Sequence, residues 1–185
     1  RDFSTSAPPS SAAAPPPPSI HHSTQTLRAL TLKTKSNQNT TKQQVSVLSF
    51  GAWVTFGDRV DASAAAKIMR RARDAGVNFF DNAEVYNGGK AEEVMGEALR
   101  ALAWPRSSFV LSTKVFWGGT GVNESGLSRK HVVEALDASL ERLGISYVDV
   151  YLAHRPDEET PMEETVRAFN HVIEQGEEEM EKRCF

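Results

Sequence analysis

From Val45 onward the chain alternates short apolar runs with amphipathic segments, and this alternation restricts its possible folds more than any other feature. Four segments carry apolar residues at helical spacing, and a short apolar run precedes each of them. The predicted strands span 45–53, 77–80, 109–113 and 148–153, and the predicted helices span 62–75, 90–102, 128–143 and 161–176. Strands and helices that alternate in this way form a parallel sheet covered by helices.

Helix boundaries support this division. Asp61 and Ser128 are suitable N-caps, and Gly76 and Gly144 stand where two helices should end. Thr160 and Glu163 have the spacing of a capping box, with Pro161 at the first helical position. That last helix is expected to end at Gly176 or to run on.

Two architectures fit such an order, an open doubly wound sheet and a closed barrel. A nucleotide-binding open sheet favours a glycine-rich phosphate loop after the first strand. None follows Trp53, since Gly51 and Gly57 do not make that fingerprint. The pattern therefore favours the N-terminal half of a (β/α)₈ TIM barrel, an α/β fold with four βα units.

Residues 1–44 differ in composition and are predicted to be a disordered leader. They hold six of the nine prolines, fourteen Ser/Thr residues, five Lys/Arg and one acid. An unstructured leader or a wrongly joined exon is the favoured interpretation, and an organelle transit segment is the alternative. The remaining chain is acidic, which argues against nucleic-acid binding.

The single cysteine and the short apolar runs exclude two further kinds of structure. One cysteine excludes an intrachain disulfide, and no apolar run approaches the roughly 20 residues that span a bilayer.

Polar or aromatic residues stand where each predicted strand ends, and in a barrel these ends share one rim. They are Trp53, Asp81 with Tyr86 in the following loop, Lys114 and His154. Alone, each has an ordinary explanation, such as a turn aspartate or a packed loop aromatic. Together they suit carbonyl reduction: a lysine ammonium favours the phenolate form of a nearby tyrosine, an aspartate holds the lysine, and a histidine binds the carbonyl.

Several longer motifs carry a family resemblance. FFDNAEVY (79–86) and GKAEEVMG (89–96) resemble the aldo-keto reductase signature. More narrowly, the chain resembles the voltage-gated potassium channel β-subunits, and LSFGAW with a histidine before Arg155 is closest to the plant members. The supporting motifs are GAWVTFG (51–57), TKVFWGG (113–119), GLSRKH (126–131), HRPD (154–157) and PMEETVRA (161–168).

The resemblance covers residues 45–176 and implies an NADPH-binding barrel that reduces aldehydes or ketones. It implies Tyr86 as proton donor, Asp81 and Lys114 as its partners, and His154 on the substrate side. Trp53, Asp81 and His154 would contact the cofactor, as would Arg59, where the family usually has glutamine. No metal site is predicted. The family also implies a cytoplasmic tetramer of β-subunits, docked peripherally at a membrane on the α-subunit of a voltage-gated potassium channel.

Two stretches depart from the family pattern. Residues 27–44 match poorly the hairpin that normally precedes the barrel, and residues 177–185 form an acidic tail without a fifth strand. In the family, the second half of the barrel holds most of the NADPH phosphates. The expectation is therefore a truncated chain, with two alternatives to an active enzyme: an inactive subunit that acts only by assembly, or a terminated product that does not fold stably.

Overall fold

The computed structural model describes the backbone of residues 29–36 and 39–183, and side chains between residues 44 and 176. The elements in chain order are β1 (Ala29–Ser36), β2 (Asn39–Ser46), β3 (Phe50–Gly51), α1 (Ala62–Asp74), β4 (Phe79–Asp81), α2 (Lys90–Leu102), β5 (Val110–Val115), α3 (Arg129–Leu143), β6 (Val150–Ala153) and α4 (Met162–Arg183).

Strands β3 to β6 form one parallel sheet in chain order. Phe50 pairs with Phe80, Phe80 with Leu111, and Ser112 with Val150. Each strand is followed by a helix, so the carboxyl ends of all four strands lie on one edge. The prediction of an α/β fold with four βα units is confirmed.

The segment before the sheet corrects the prediction of disorder for residues 29–36 and 39–44. Strands β1 and β2 form an antiparallel hairpin, in which Leu30 pairs with Val45 and Lys33 with Lys42. The prolines of the leader all precede residue 19, so its overall composition concealed a threonine-rich stretch of high strand propensity. The expectation for residues 1–28 lies outside the described residues.

The hairpin also shortens the first predicted strand. Val45 and Ser46 belong to β2, and only Phe50–Gly51 joins the parallel sheet. Ser46 and Asn78 bond reciprocally: the Ser46 backbone N–H donates to Asn78 Oδ1 (2.7 Å), and the Asn78 N–H donates to Ser46 Oγ (3.0 Å). The end of β2 is thereby fixed beside the amino end of β4.

The helix ends follow the sequence in most places. Asp61 accepts from the Ala64 N–H, Ser128 accepts from the His131 N–H, and Gly144 ends α3 at φ 64°. The expected capping box at Thr160 is replaced by a hydrogen bond from its hydroxyl to Asp157. Helix α4 continues through Gly176 to Arg183.

The core lies between the sheet and the helices. Phe56, Met69, Phe80, Met95 and Leu111 are its largest apolar side chains with almost no exposed surface. Burying each such side chain contributes about 1.5–3 kcal/mol. A second cluster, containing Val115 and Val132, packs α3 and α4 against β5. Within the described part of the chain, none of the helices combines the length and apolarity needed to cross a membrane.

Candidate active site

Lys114 lies at the centre of the candidate site and uses all three protons of its ammonium group. Its Nζ donates to Asp81 Oδ2 (2.7 Å), to the Asn82 carbonyl oxygen (2.7 Å) and to the Tyr86 hydroxyl oxygen (3.0 Å). Ser112 Oγ donates to the other Asp81 oxygen at 2.6 Å. The ends of β4 and β5 therefore bring together Asp81, Tyr86 and Lys114, as the sequence predicted.

Tyr86 is held by the irregular loop that follows β4. Asn87 has φ 52°, and its side-chain amide donates to Asp58 Oδ1 (3.0 Å) and to the Phe56 carbonyl (3.4 Å). This side chain ties the tyrosine loop to the loop after β3. The Tyr86 ring is buried, whereas the Lys114 and Asp81 side chains keep 14% and 26% exposure.

His154 follows β6 and contacts the same tyrosine. Its ring makes edge contacts with Tyr86 at 5.7 Å and with Trp117 at 5.0 Å between centroids. Desolvation, and then the positive charge of Lys114, lower the pKa of His154 below its usual value, so the imidazole is neutral at pH 7. Its Nδ1 atom is buried and has no hydrogen-bond partner among the described residues.

The two remaining predicted site residues behave differently. Trp53 is 69% exposed and stacks beside Tyr86, with centroids 6.2 Å apart and planes at 29°. Its free face borders the site. Arg59 is exposed in the same loop, and among the described residues no side-chain contact joins it to Tyr86, Lys114 or His154. The site thus includes Trp53 but is not joined to Arg59 by side-chain contacts.

Sequence reasoning assigned no role to Trp117, which forms a wall of the site beside His154. The Arg155 guanidinium lies over the Phe116 and Trp117 rings, 5.4 and 5.6 Å from their centroids. The sequence feature that could have indicated Trp117 is its position, because it is an aromatic residue just beyond the end of a predicted barrel strand.

Two acidic residues anchor the loop that carries Trp117, and the sequence did not indicate either. Glu84 Oε1 accepts from the Phe116 N–H (2.6 Å) and lies 3.3 Å from His131 Nε2. Asp157 accepts from Thr160 Oγ1 (2.7 Å) and the Leu127 N–H (2.7 Å). The hydrogen bond from Thr160, followed by that from Leu127, lowers the pKa of Asp157. These carboxylates fix both ends of the loop between β5 and α3.

The parallel βα units, with a lysine-centred polar cluster at the carboxyl ends of the strands, place the chain among barrel-type α/β proteins that bind ligands at that edge. The sequence profile of the aldo/keto reductase family matches residues 47–177. The chain belongs to the aldo/keto reductase family.

Two similar curated proteins carry a narrower name. The chain is 62% identical over 133 residues to a "Probable voltage-gated potassium channel subunit beta" from Arabidopsis thaliana, and equally so to one of the same name from Oryza sativa subsp. japonica. Each alignment covers 72% of this chain and 40% of the relative. The chain thus spans about two fifths of the length of these relatives.

A solved structure agrees with the fold. An aldo-keto reductase from Bacillus halodurans, in its holo form, superposes with a TM-score of 0.66 at 29% identity. The superposition covers 81% of this chain and 47% of that protein. The sequence-based recognition of the family and fold is confirmed.

Proposed function

We propose that this chain carries the proton-donating residues of an NADPH-dependent reductase of aldehydes or ketones. One observation supports this most strongly. Because the Tyr86 oxygen accepts a hydrogen bond from Lys114, its own hydroxyl proton is directed elsewhere. A small carbonyl substrate beside Tyr86 would receive that proton on its oxygen.

The surrounding charges favour this transfer. As Tyr86 loses its proton, negative charge develops on an oxygen 3.0 Å from the Lys114 ammonium. At an effective dielectric near 20, unit charges about 3 Å apart attract by roughly 5 kcal/mol, and the partial exposure of Lys114 reduces this value. Asp81 keeps the ammonium oriented, and the His154 ring lies against Tyr86, where its imidazole would hydrogen-bond the substrate oxygen.

The residues at this edge suit the nicotinamide end of NADPH. Trp53 offers an exposed flat face beside Tyr86, and Gly51 has open space where a side chain would project. Trp53, Asp81 and His154 would hold the ring, and bound NADPH would supply the hydride. Arg59, which the family resemblance assigns to the cofactor, would contact it from the exposed loop after β3.

The reductase proposal is tested by cofactor binding and turnover. We expect the chain to quench NADPH fluorescence, and Tyr86→Phe to lower aldehyde reduction at least about 100-fold while leaving cofactor binding intact. Tyr147→Phe is the matched control, since this ring packs under Arg106 and lies outside the site. Absence of binding at millimolar NADPH, or unchanged turnover in Tyr86→Phe, would contradict the proposal.

A second candidate function is assembly without catalysis, and the names of the Arabidopsis and rice relatives favour it. In this proposal the chain associates with the α-subunit of a voltage-gated potassium channel and with other β-subunits, in the tetramer that the family resemblance implies. It would then be cytoplasmic and peripheral at the membrane through the channel. Co-purification of Tyr86→Phe with a tagged full-length β-subunit or channel would support this; a chain that stays monomeric beside both partners would oppose it.

A further inference from the structure

Glu92 in helix α2 is a fully buried acidic residue to which the proposed reaction assigns no role. It has no exposed surface, yet both of its oxygens are hydrogen-bonded. Thr113 Oγ1 donates to Oε1 at 2.5 Å, and Arg142 Nε donates to Oε2 at 2.7 Å. A buried carboxylate is costly unless it is paired, so this cluster invites a functional explanation.

The explanation begins with the alternation of side chains along β5. Ser112 and Lys114 project toward the site, where both donate to Asp81. Thr113 lies between them, projects to the opposite side of the strand, and meets Glu92 there. A twist or shift of the strand that moved Thr113 would move Lys114 in the same step.

Helices α2 and α3 are placed so that Glu92 can hold this strand. A Cβ on Gly96 would lie 2.4 Å from the Leu143 carbonyl oxygen, so the two helices pack closely at that point. A Cβ on Gly89, where φ is 88°, would lie 2.8 Å from the Arg142 side chain. Gly96 thus leaves room for the α3 backbone, and Gly89 leaves room for the guanidinium that pairs with Glu92. Ser139 Oγ accepts a further hydrogen bond from this guanidinium at 3.1 Å.

We propose that Glu92 is a positioning residue, which acts through the Thr113 hydroxyl to set the orientation of Lys114 toward Tyr86. The significance for catalysis rests on the proposed reductase function. The positioning itself concerns only the geometry of Lys114, and it is open to measurement without cofactor or substrate.

The test measures how fast acetic anhydride acetylates each lysine of the chain, by peptide mass spectrometry. Lys114 should react slowly because its Nζ is held by three acceptors, whereas exposed Lys90 and Lys130 serve as internal references. We expect Thr113→Val to raise Lys114 acetylation at least about tenfold relative to the references, as loss of a hydrogen bond to a charged group implies. Thr113→Ser retains the hydroxyl and should restore the slow rate.

A matched control separates positioning from general loss of stability. Thr165→Val removes another buried hydroxyl, which donates to the Leu127 carbonyl oxygen at 3.4 Å, far along the chain from β5. It should leave Lys114 acetylation at the wild-type rate. Equal acceleration in Thr113→Val and Thr165→Val would overturn the proposal, as would an unchanged rate in Thr113→Val.

Glu92→Gln provides a second variant that preserves the shape of the side chain. If Glu92 acts through Thr113, this variant should also accelerate Lys114 acetylation. In the double variant with Thr113→Val, Lys114 should be acetylated little faster than in either single variant. If the double variant instead multiplied the rate increases of the two single variants, the coupling between Glu92 and Thr113 would be refuted. A chain that fails to reduce aldehydes but still gives these labelling results would contradict the proposed function and leave the positioning role intact.

Discussion

Replacing Asp157 with asparagine should loosen the loop that frames the candidate site, and the effect should depend on pH. In the wild type, Asp157 accepts three hydrogen bonds: two on Oδ2, from Leu127 and Thr160, and one on Oδ1, from the Glu159 N–H at 3.0 Å. Asparagine keeps one acceptor oxygen and no charge. At least one bond is lost, and the others weaken, so the free energy of unfolding at pH 7 should fall by about 2 kcal/mol.

The pH dependence follows from the lowered pKa of Asp157 in the folded chain. An aspartate in the unfolded chain has a pKa of about 3.9, so between the two values the unfolded state binds more protons. The stabilisation is fully present above about pH 4 and is lost as pH falls through the folded pKa. The difference between wild type and Asp157→Asn should therefore be constant from pH 5 to 7 and shrink below about pH 4.

Urea unfolding of both proteins, followed by circular dichroism at several pH values, measures this difference. Glu158→Gln is the control, because it removes an exposed carboxylate from the same loop and should change stability by less than about 0.5 kcal/mol. A difference of equal size at pH 7 and pH 3 would refute the assignment of the effect to the Asp157 charge. If the chain did not unfold cooperatively, this would support the alternative that it is a terminated product that does not fold stably.

Three further outcomes follow from the described contacts. Since the pKa of His154 is lowered, the wild type should lose stability as pH falls below about 6.5, and His154→Gln should reduce that loss; urea midpoints of the two proteins at pH 7.5 and 5.5 test this. Gly96→Ala should destabilise by about 1–3 kcal/mol, because its Cβ would meet a backbone oxygen, and a thermal melt tests this. Gly176→Ala should instead stabilise α4 by about 0.5–1 kcal/mol, since nothing lies within 4 Å of the added Cβ.

The sequence predicted the sheet and helices well because each element carries its own local signal. Helix α2 begins and ends at the predicted residues, and the predicted N-caps Asp61 and Ser128 are observed. The hairpin was missed because the proline-rich residues before it dominated the composition of the leader. The first strand of the parallel sheet was predicted too long because apolar Val45 was assigned to it. Val45 instead pairs within the hairpin and is buried there.

The candidate site was predictable only in part. Asp81, Tyr86, Lys114 and His154 stand directly at strand ends, so chain order and barrel topology place them together. Trp117, Glu84 and Asp157 each make a contact that links residues 30 or more positions apart, and no local pattern records such contacts. Arg59 stays a prediction from the family resemblance: its side chain is exposed, and exposure gives no evidence for or against a contact with the cofactor.

Asn82 shows why the packing of the helices and the geometry of the site depend on each other. Its side-chain amide is fully buried and donates to the Ala91 carbonyl oxygen of α2 at 3.0 Å, while its own backbone carbonyl accepts from Lys114 at 2.7 Å. Glu92, one residue beyond Ala91, holds Lys114 from the other side of β5 through Thr113. Helix α2 therefore contacts both strands that supply the Asp81–Lys114 pair. A displacement of this helix would therefore change the distance from Lys114 to Tyr86, because close-packed interiors transmit such shifts.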